Sequence, residues 1–457
     1  MFTKDKNFYK MFVRLCVTLM VEQAVILSVN LADNVMIGNY SETALSGVAA
    51  VNQIQFVLQQ VIYAVSNGII VLSSQYWGQQ RMEPIRHLSS AGARVGLGIA
   101  MVFFVLVSLF PEQTLQLFTN DSTIIAEGVG YLKMIRFTYP VFALTTVLLG
   151  TMRSVENVRI ALVVSSISLV INCCINYTLI SGHFGAPALG ARGAAIGTLT
   201  ARVVECVIVI SFVAWKEKKL QLKLRDFLRA DKLLFRDFVR VSTPIIISGA
   251  LWGASNAMQT VILGHMTDNA IAAYSISSTI FLLLKVTSLG ACTAASIIVG
   301  KVIGSGDLSK LKEYVRTLQG LFVCVGLVLS CALFLIRVPL LSVYNISEDT
   351  YYLANAFMLI QTVTICTMSY QYPTNGGIIR GGGDTNFIMI LDFISIWCIV
   401  LPLSCLAAFV WKLSPIAVVI FLNSDQVFKC VPAFLRVNHY KWIKSLTRAE
   451  TETIPEQ

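Results

Sequence analysis

The sequence has little charge for its length. Only 13% of the 457 residues are Asp, Glu, Lys or Arg, whereas roughly 25% is usual in a soluble domain. A soluble chain this long folds as two or three domains, and each domain needs a charged surface that so few charged side chains cannot supply. Since 56% of the residues are hydrophobic, the composition excludes the soluble classes and indicates a polytopic membrane protein.

The sequence also lacks the patterns of metal, cofactor and catalytic sites. Its 11 cysteines form no C-x-x-C pair, and its 4 histidines stand in predicted loops or at span ends without metal-ligand spacing. The glycine run that begins at Gly381 has neither the lysine nor the strand and helix context of a phosphate-binding loop. No nucleophile, base and orienting group stand within reach of one another. We therefore expect no metal, no cofactor and no enzymatic activity.

What the sequence has in abundance is long apolar stretches bounded by charged residues, glycine or proline. A stretch of about 20 such residues is long enough for a helix to cross the hydrocarbon core of a bilayer. The first follows three lysines but has no small-residue cleavage site, so we interpret it as a retained helix and not as a removed signal. Twelve spans are predicted, at residues 12–37, 45–75, 88–110, 123–149, 159–181, 193–214, 241–263, 270–299, 317–336, 350–377, 387–408 and 414–435.

The excess of basic over acidic residues predicts the orientation of these spans. With twelve spans both termini lie on one side, and nearly all basic residues fall on that side, including Arg153 and the run at 216–240. Only Arg192, Arg337 and Lys412 fall on the other side. The positive-inside rule then places both termini in the cytoplasm of a multi-pass inner-membrane protein. The net charge of +10 is thus a topology signal that anionic lipid can reinforce, and no motif for a nucleic-acid partner accompanies it.

The two halves of the sequence repeat each other at an offset of about 226 residues. Gly38 aligns with Gly264 and Gly78 with Gly304, so that GNYSETALSGVAA reads against GHMTDNAIAAYSI. Each half carries six spans, so both halves enter the membrane in the same orientation. A pseudo-two-fold axis between them must then run along the membrane normal.

The repeat predicts the domain organisation. We expect an all-α integral membrane protein with twelve transmembrane helices in two six-helix lobes related by that axis. The lobes are assigned to residues 1–215 and 241–457, the second with a short cytoplasmic tail, and residues 216–240 form a cytoplasmic linker. Two lobes of this kind suit alternating access around a site near the middle of the membrane.

Matching motifs stand in order through both halves. The first span ends in NLADNVMIG and its counterpart in NAMQTVILG, while QYWGQQ follows span 2 and VGKVIGSGD follows span 8. LLGTMRSVEN follows span 4, and GGIIRGGGDTNF follows span 10. Over residues 10–446 the sequence resembles the multidrug and toxic compound extrusion (MATE) transporters. The resemblance implies two six-helix lobes that export organic, often cationic, compounds in exchange for protons or sodium.

Asp33 is the most informative ionisable residue inside the predicted spans. A charge in hydrocarbon costs several kcal/mol, so it needs a partner, a cavity or a function. Asn172 and Asn176 share one face of span 5 at i, i+4 spacing. The resemblance implies that Asp33, these two amides and Thr198 form an ion-coupling site. Asn176 stands where some members have a second Asp, which leaves the ion open between proton and sodium, with a slight preference for the proton.

Other polar residues in the spans are candidates for a substrate cavity. Glu22 lies eleven residues before Asp33, close to three whole helical turns, so the two acids share one helix face about 16 Å apart. Asn30 lies one turn before Asp33. In the second half Asn256 and Gln259 occupy the matching positions, where they also are expected to line the cavity.

Lys285 in span 8 and Asp392 in span 11 each stand alone among apolar residues. Their mutual pairing would lower the cost of burying both charges. If Lys285 instead faces the cavity, it opposes cationic compounds and favours anionic or zwitterionic ones, so we list it with the cavity and leave both positions open. Two pairs are expected to neutralise each other within one helix: Arg202 with Glu205, and Asp425 with Lys429.

These observations lead to one functional hypothesis, a secondary active antiporter that exports organic, multidrug-type cations. External protons or sodium neutralise Asp33, the amino lobe rearranges and the substrate leaves; loss of the ion restores the charge that attracts the next substrate. The expected partners are a small organic substrate, the coupling cation and membrane lipid, with the chain acting as a monomer. The alternatives are a flippase for a lipid-linked or polysaccharide precursor, a class that often has more helices and a basic cavity, and a receptor without transport.

Overall fold

The structure is a computed structural model that describes residues 2–119, 121–222, 226–227, 231–264, 266, 268–342 and 346–448. The predicted linker at 216–240 and the predicted tail lie partly outside these residues. Within them the regular structure is helical throughout.

Each predicted span corresponds to a helix or to a bent pair of helices. Eleven helices of the described residues are long and apolar enough to cross a membrane, and one bent pair brings the number to twelve. The prediction of an all-α membrane protein with twelve spans is therefore confirmed. The helices are α1 Lys6–Tyr40, α2 Glu42–Gly78, α3 Met82–Leu109, α4 Pro111–Gln116, α5 Ser122–Ile135, α6 Thr138–Ser154, α7 Arg159–Ile180, α8 Ala191–Lys216, α9 Lys232–Gly264, α10 Asp268–Ser305, α11 Leu308–Leu341, α12 Glu348–Ile379, α13 Thr385–Val410 and α14 Pro415–Asn438.

Local sequence sets where several helices begin. The Ser41 hydroxyl accepts a hydrogen bond from the Ala44 backbone N–H at 3.3 Å at the start of α2. Asp307 accepts one from the Lys310 backbone N–H at 3.1 Å at the start of α11. These caps satisfy N–H groups that have no partner within the helix. Pro111 and Pro415 open α4 and α14, at the position where a missing N–H costs nothing.

The fourth span is bent by 51° between α5 and α6. Pro140 lies in the first turn of α6, where it has no N–H to donate to the Arg136 carbonyl and its ring crowds that carbonyl. The Tyr139 backbone N–H donates to the Arg136 carbonyl instead, at 3.1 Å. Proline therefore bends the span while this tighter turn satisfies the carbonyl.

The chain packs into two units. The amino-terminal unit comprises Val21–Ile246 together with Arg448, and the carboxy-terminal unit comprises the residues up to Met20 together with Ile247–Thr447. Each unit has an apolar core of its own. Because α1 and α9 each contribute residues to both units, the lobe ranges 1–215 and 241–457 stay a prediction.

A buried ion pair joins α1 to α6 inside the amino-terminal unit. The Arg153 guanidinium donates to Glu22 Oε1, and the two residues are only 8% and 1% exposed. Glu22 Oε2 and Arg153 Nε have no hydrogen-bond partner among the described residues. Counting Arg153 among the loop bases was wrong, because α6 continues to Ser154 and carries this side chain into the core.

Breaking this pair from one side should destabilise the protein strongly. Glu22→Leu leaves a buried guanidinium without its counter-charge, and we expect a loss of ~3–5 kcal/mol in the free energy of unfolding. The double variant Glu22→Leu/Arg153→Met removes both charges and should recover most of that loss. Unfolding of the wild type, Glu22→Leu, Arg153→Met and the double variant in one detergent measures the coupling. A double variant as unstable as the sum of the two single variants would contradict this account.

Candidate functional site

The amino-terminal unit contains a partly open cavity of about 60 Å³ that receives residues from α1, α2, α5, α6, α7 and α8. This volume admits about four to six water molecules but is well below the roughly 300–1,000 Å³ of pockets that hold drug-sized ligands. The cavity therefore suits a small ion with water. Its polar lining comprises Asn30, Asp33, Asn34, Asn52, Gln55, Gln59, Tyr131, Thr138, Tyr139, Ser165, Ser168, Asn172, Thr198, Arg202 and Glu205.

Asp33 begins a chain of hydrogen bonds that crosses three helices. Asn176 Nδ2 of α7 donates to Asp33 Oδ1 of α1 at 2.5 Å. The same Nδ2 atom contacts Asn172 Oδ1 at 3.3 Å, and Asn172 Nδ2 donates to Thr198 Oγ1 of α8 at 3.3 Å. The structure thus brings together the four side chains that were predicted as one ion-coupling site. The i, i+4 spacing places both asparagines on the same face of α7, where they can contact each other.

The two asparagines of this hydrogen-bond chain are buried, and one of their oxygen atoms has no hydrogen-bond partner among the described residues. Asn172 and Asn176 are 1% and 0% exposed. Asn176 Oδ1 has no hydrogen-bond partner among the described residues, although buried amide oxygens almost always have one. This unpartnered oxygen belongs to the side chain that contacts Asp33. It can accept a hydrogen bond or coordinate a cation.

Three charged side chains line the cavity: Asp33, Arg202 and Glu205. Arg202 Nη1 donates to Glu205 Oε2 at 2.9 Å, and its guanidinium lies 5.2 Å from the centroid of the Phe142 ring. The intrahelical pair predicted from the sequence therefore forms. Asp33 makes no ion pair within the described part of the chain; its carboxylate is hydrogen-bonded to the neutral amide of Asn176, and Arg202 lies in the same cavity lining.

Several residues of the cavity were missed by the sequence analysis. Asn52, Gln55 and Gln59 of α2 line it, and their i, i+3, i+7 spacing marks one polar face in an apolar helix. That periodicity is the signal that could have found them. Tyr139 also lines the cavity, and its hydroxyl has no hydrogen-bond partner among the described residues; an isolated tyrosine carries no such signal.

The two substrate-cavity candidates of α1 differ in position. Asn30 lines this cavity and is exposed. Glu22 shares the face of α1 but is not among the lining residues, because its carboxylate is engaged by Arg153.

In the carboxy-terminal unit the candidates gather around Trp252 of α9. Lys285 Nζ of α10 lies 4.5 Å from the centroid of the Trp252 ring. Asn256 Nδ2 donates to the Trp252 backbone carbonyl at 2.8 Å, and Gln259 Nε2 to Ser255 Oγ at 3.3 Å. The two amides thus bond within their own helix, and the ammonium group is held over an aromatic face.

The pairing of Lys285 with Asp392 is not what the structure contains. Lys429 Nζ lies 3.0 Å from Asp392 Oδ1 and 3.1 Å from Asp425 Oδ2, and Ser248 Oγ donates to Asp392 Oδ2 at 2.5 Å. Lys429 therefore bridges two carboxylates, and one is the i−4 neighbour predicted from the sequence. Of the two positions left open for Lys285, pairing with Asp392 is therefore wrong, because pairing between helices depends on their packing.

The residues that the structure describes contain no group of three or more His, Cys, Asp or Glu side chains that could hold a metal ion. The oxygen atoms of Asp33, the amides and Thr198 are the groups through which this cavity can bind a small cation.

Comparisons with known proteins identify the family. The family model MatE matches residues 19–178 and 244–406, most of both halves. The probable multidrug resistance protein NorM of Thermotoga maritima is 24% identical to this chain, over 97% of this chain and 96% of its own length. The multidrug resistance protein MdtK of Edwardsiella ictaluri is 23% identical over 88% of each.

Solved structures share the whole fold. The bent form of the Vibrio cholerae MATE transporter VcmN matches with a TM-score of 0.84 at 16% identity, covering 95% of this chain and 97% of that one. A MOP superfamily transporter from Pyrococcus furiosus matches with a TM-score of 0.85 at 16% identity, covering 98% and 100%. With the family model matched in both halves and this fold shared from end to end, the chain belongs to the MatE family of membrane transporters.

Proposed function

We propose that this MATE transporter is a secondary antiporter that exports small organic compounds, cationic ones among them, and that Asp33 carries the coupling ion. The observation that carries the proposal is a carboxylate in a small polar cavity that is hydrogen-bonded to a neutral amide and makes no ion pair with a described residue. A carboxylate without a permanent counter-charge can gain and lose a small cation, whereas a salt-bridged one is already neutralised. The names of the multidrug resistance relatives support the substrate class.

Neutralisation of Asp33 can act on the helices through the hydrogen-bond chain. The Asn176 amide donates to an ionised carboxylate, and such charge-assisted bonds are about twice as strong as neutral ones. When Asp33 is neutralised, this bond between α1 and α7 weakens, and the Asn172 link to Thr198 of α8 is free to rearrange. Loss of the ion restores the bond. The charge on one residue thereby biases how three helices pack, as alternating access requires.

The donor set favours a proton over sodium. Asn176 directs its N–H group, and not its carbonyl oxygen, toward Asp33. Hard cations are bound by oxygen ligands, so sodium needs both a rotated amide and water, whereas a proton needs only the carboxylate. We therefore propose the proton as the coupling ion.

The substrate binds outside this cavity. At about 60 Å³ the cavity is too small to hold an organic drug and an ion together. The drug and the ion therefore do not occupy the same space, and each affects binding of the other through charge and helix packing. We infer that the transporter works as a monomer. We also infer that it lies in the inner membrane with both termini in the cytoplasm, as the distribution of basic residues indicates.

Removing the carboxylate should abolish ion-driven export. Asp33→Asn keeps the shape and the hydrogen bonding of the side chain but cannot be neutralised by a proton. In proteoliposomes with an imposed pH gradient, export of a fluorescent organic cation should fall to the level of protein-free vesicles. The control is Asp307→Asn, which removes a carboxylate from a loop and leaves a residue that also caps a helix. Gradient-driven export retained by Asp33→Asn would refute the coupling role.

Proton release tests the ion directly. Addition of substrate to the purified wild-type transporter in weak buffer should release protons, and Asp33→Asn should release none. Sodium release in place of proton release would keep Asp33 as the coupling residue and overturn the choice of ion. Substrate binding with release of neither ion would overturn the antiport itself.

Lys285 should govern the charge of the substrates that are accepted. Two like unit charges about 10 Å apart at an effective dielectric constant of about 40 repel each other by ~0.8 kcal/mol. Lys285→Met should therefore raise export of a permanently cationic dye by about fourfold and lower export of an anionic dye by a similar factor. Lys310→Met, which changes an exposed lysine paired with Asp307, is the matched control. Equal changes for both dyes would show that Lys285 does not face the substrate.

A further inference from the structure

A groove separate from the ion site lies on the surface of the amino-terminal unit, between α3 and α9. Its volume is about 570 Å³, and seven residues line it. Val95, Gly98, Ile99 and Val102 of α3 form one wall and Phe235 of α9 contributes to the other. Arg94 of α3 and Lys232 of α9 are the only charged residues of this lining. The groove is thus apolar along its length and basic in two places.

The apolar wall follows from helix periodicity. Positions 94, 98 and 102 are spaced by four residues and lie on one face of α3, with 95 and 99 beside them. Gly98 leaves a gap in this face, since a Cβ atom built there has no atom of another residue within 4 Å. Gly98 is exposed, and Val102 is 64% exposed. The floor is therefore a shallow channel that faces the surroundings of the helix bundle.

The basic residues lie at one end of the channel. Val102 is eight residues beyond Arg94 in α3, about 12 Å along the helix axis. Lys232 is the first residue of α9, and the apolar stretch of this helix begins nine residues later, at 241. Arg94 Nη2 and Ser90 Oγ both donate to the Phe227 backbone carbonyl, at 2.9 and 3.1 Å. Lys232 therefore precedes the predicted span at 241–263, and Arg94 lies six residues inside the predicted span at 88–110, so both bases are near the same end of the two spans.

Asp231, the acidic residue next to Lys232 in the sequence, already accepts hydrogen bonds from the backbone. Asp231 Oδ1 accepts hydrogen bonds from the backbone N–H groups of Leu233 and Leu234, at 2.8 and 3.1 Å, and so caps α9. Lys232 is exposed and makes no ion pair with any described residue. The start of α9 adds the partial positive charge of a helix N-terminus.

We propose that this groove binds one anionic phospholipid, with the phosphate between Arg94 and Lys232 and an acyl chain along Val95, Ile99 and Val102. The arrangement of charge selects this occupant. Basic side chains near the surface of an anionic leaflet attract its lipids, and the arginine fork matches phosphate oxygens. An apolar channel that continues from the bases toward the middle of the membrane matches a lipid tail.

The experiment titrates the full-length, detergent-purified transporter with phosphatidylglycerol or phosphatidylcholine of identical acyl chains and counts bound lipid by native mass spectrometry. We expect phosphatidylglycerol to bind more tightly. Arg94→Gln and Lys232→Gln should each weaken its binding about fivefold and leave phosphatidylcholine unchanged. Arg240→Gln, which removes the same charge from the same helix outside the groove, is the control and should bind as the wild type does.

A second variant tests the acyl channel. A Cβ atom at Gly98 meets nothing within 4 Å, so Gly98→Leu should fill the open part of the groove, keep the unfolding temperature of the wild type and weaken binding of both lipids. Glycerol phosphate, which has the phosphate but no tail, should not displace phosphatidylglycerol at the same concentration. Equal affinity of the wild type for the two lipids, an unchanged affinity in both charge variants, or displacement by glycerol phosphate would each overturn the proposal.

Discussion

The cost of placing a charge in hydrocarbon is the constraint on which the structure of this transporter depends. A charged side chain in a membrane span needs a counter-charge, an aromatic face or a polar cavity. In the described residues most such groups satisfy this need by pairing, and Lys285 does so over the Trp252 ring. The pairs are Glu22 with Arg153, Arg202 with Glu205, and Lys429 with Asp392 and Asp425. Asp33 differs, since neutral amides hold it beside a cavity.

The two repeats differ in how their buried charged side chains are paired. Arg202 and Lys429 occupy matching positions, yet Arg202 has one carboxylate partner and lines a cavity, whereas Lys429 has two and is buried. Asp33 in the first half corresponds to Gln259 in the second. One repeat therefore keeps an acid without an ion-pair partner among the described residues, and the other pairs Asp392 and Asp425 with a lysine.

The spans were predictable because the signal for them is local. A run of apolar residues long enough to cross a bilayer is visible in the sequence, and each of the twelve runs contains a helix or the bent α5–α6 pair. The ends were less predictable: α6 continues to Ser154 beyond the predicted end at 149, and this extra turn carries Arg153 to Glu22. Asn172, Asn176 and Thr198 could be grouped with Asp33 because the family resemblance joined residues that periodicity alone leaves on separate helices.

The sequence by itself determined the membrane class, the twelve helices and the small set of charged residues inside them, because composition and periodicity act over one or a few turns. Only the tertiary structure decided which of these charges meet. It paired Asp392 with Lys429 and not with Lys285, engaged Glu22 with Arg153, and added the α2 amides to the Asp33 cavity. The physical reason is that a contact between helices depends on their rotation and depth, which are set by packing against all neighbours at once.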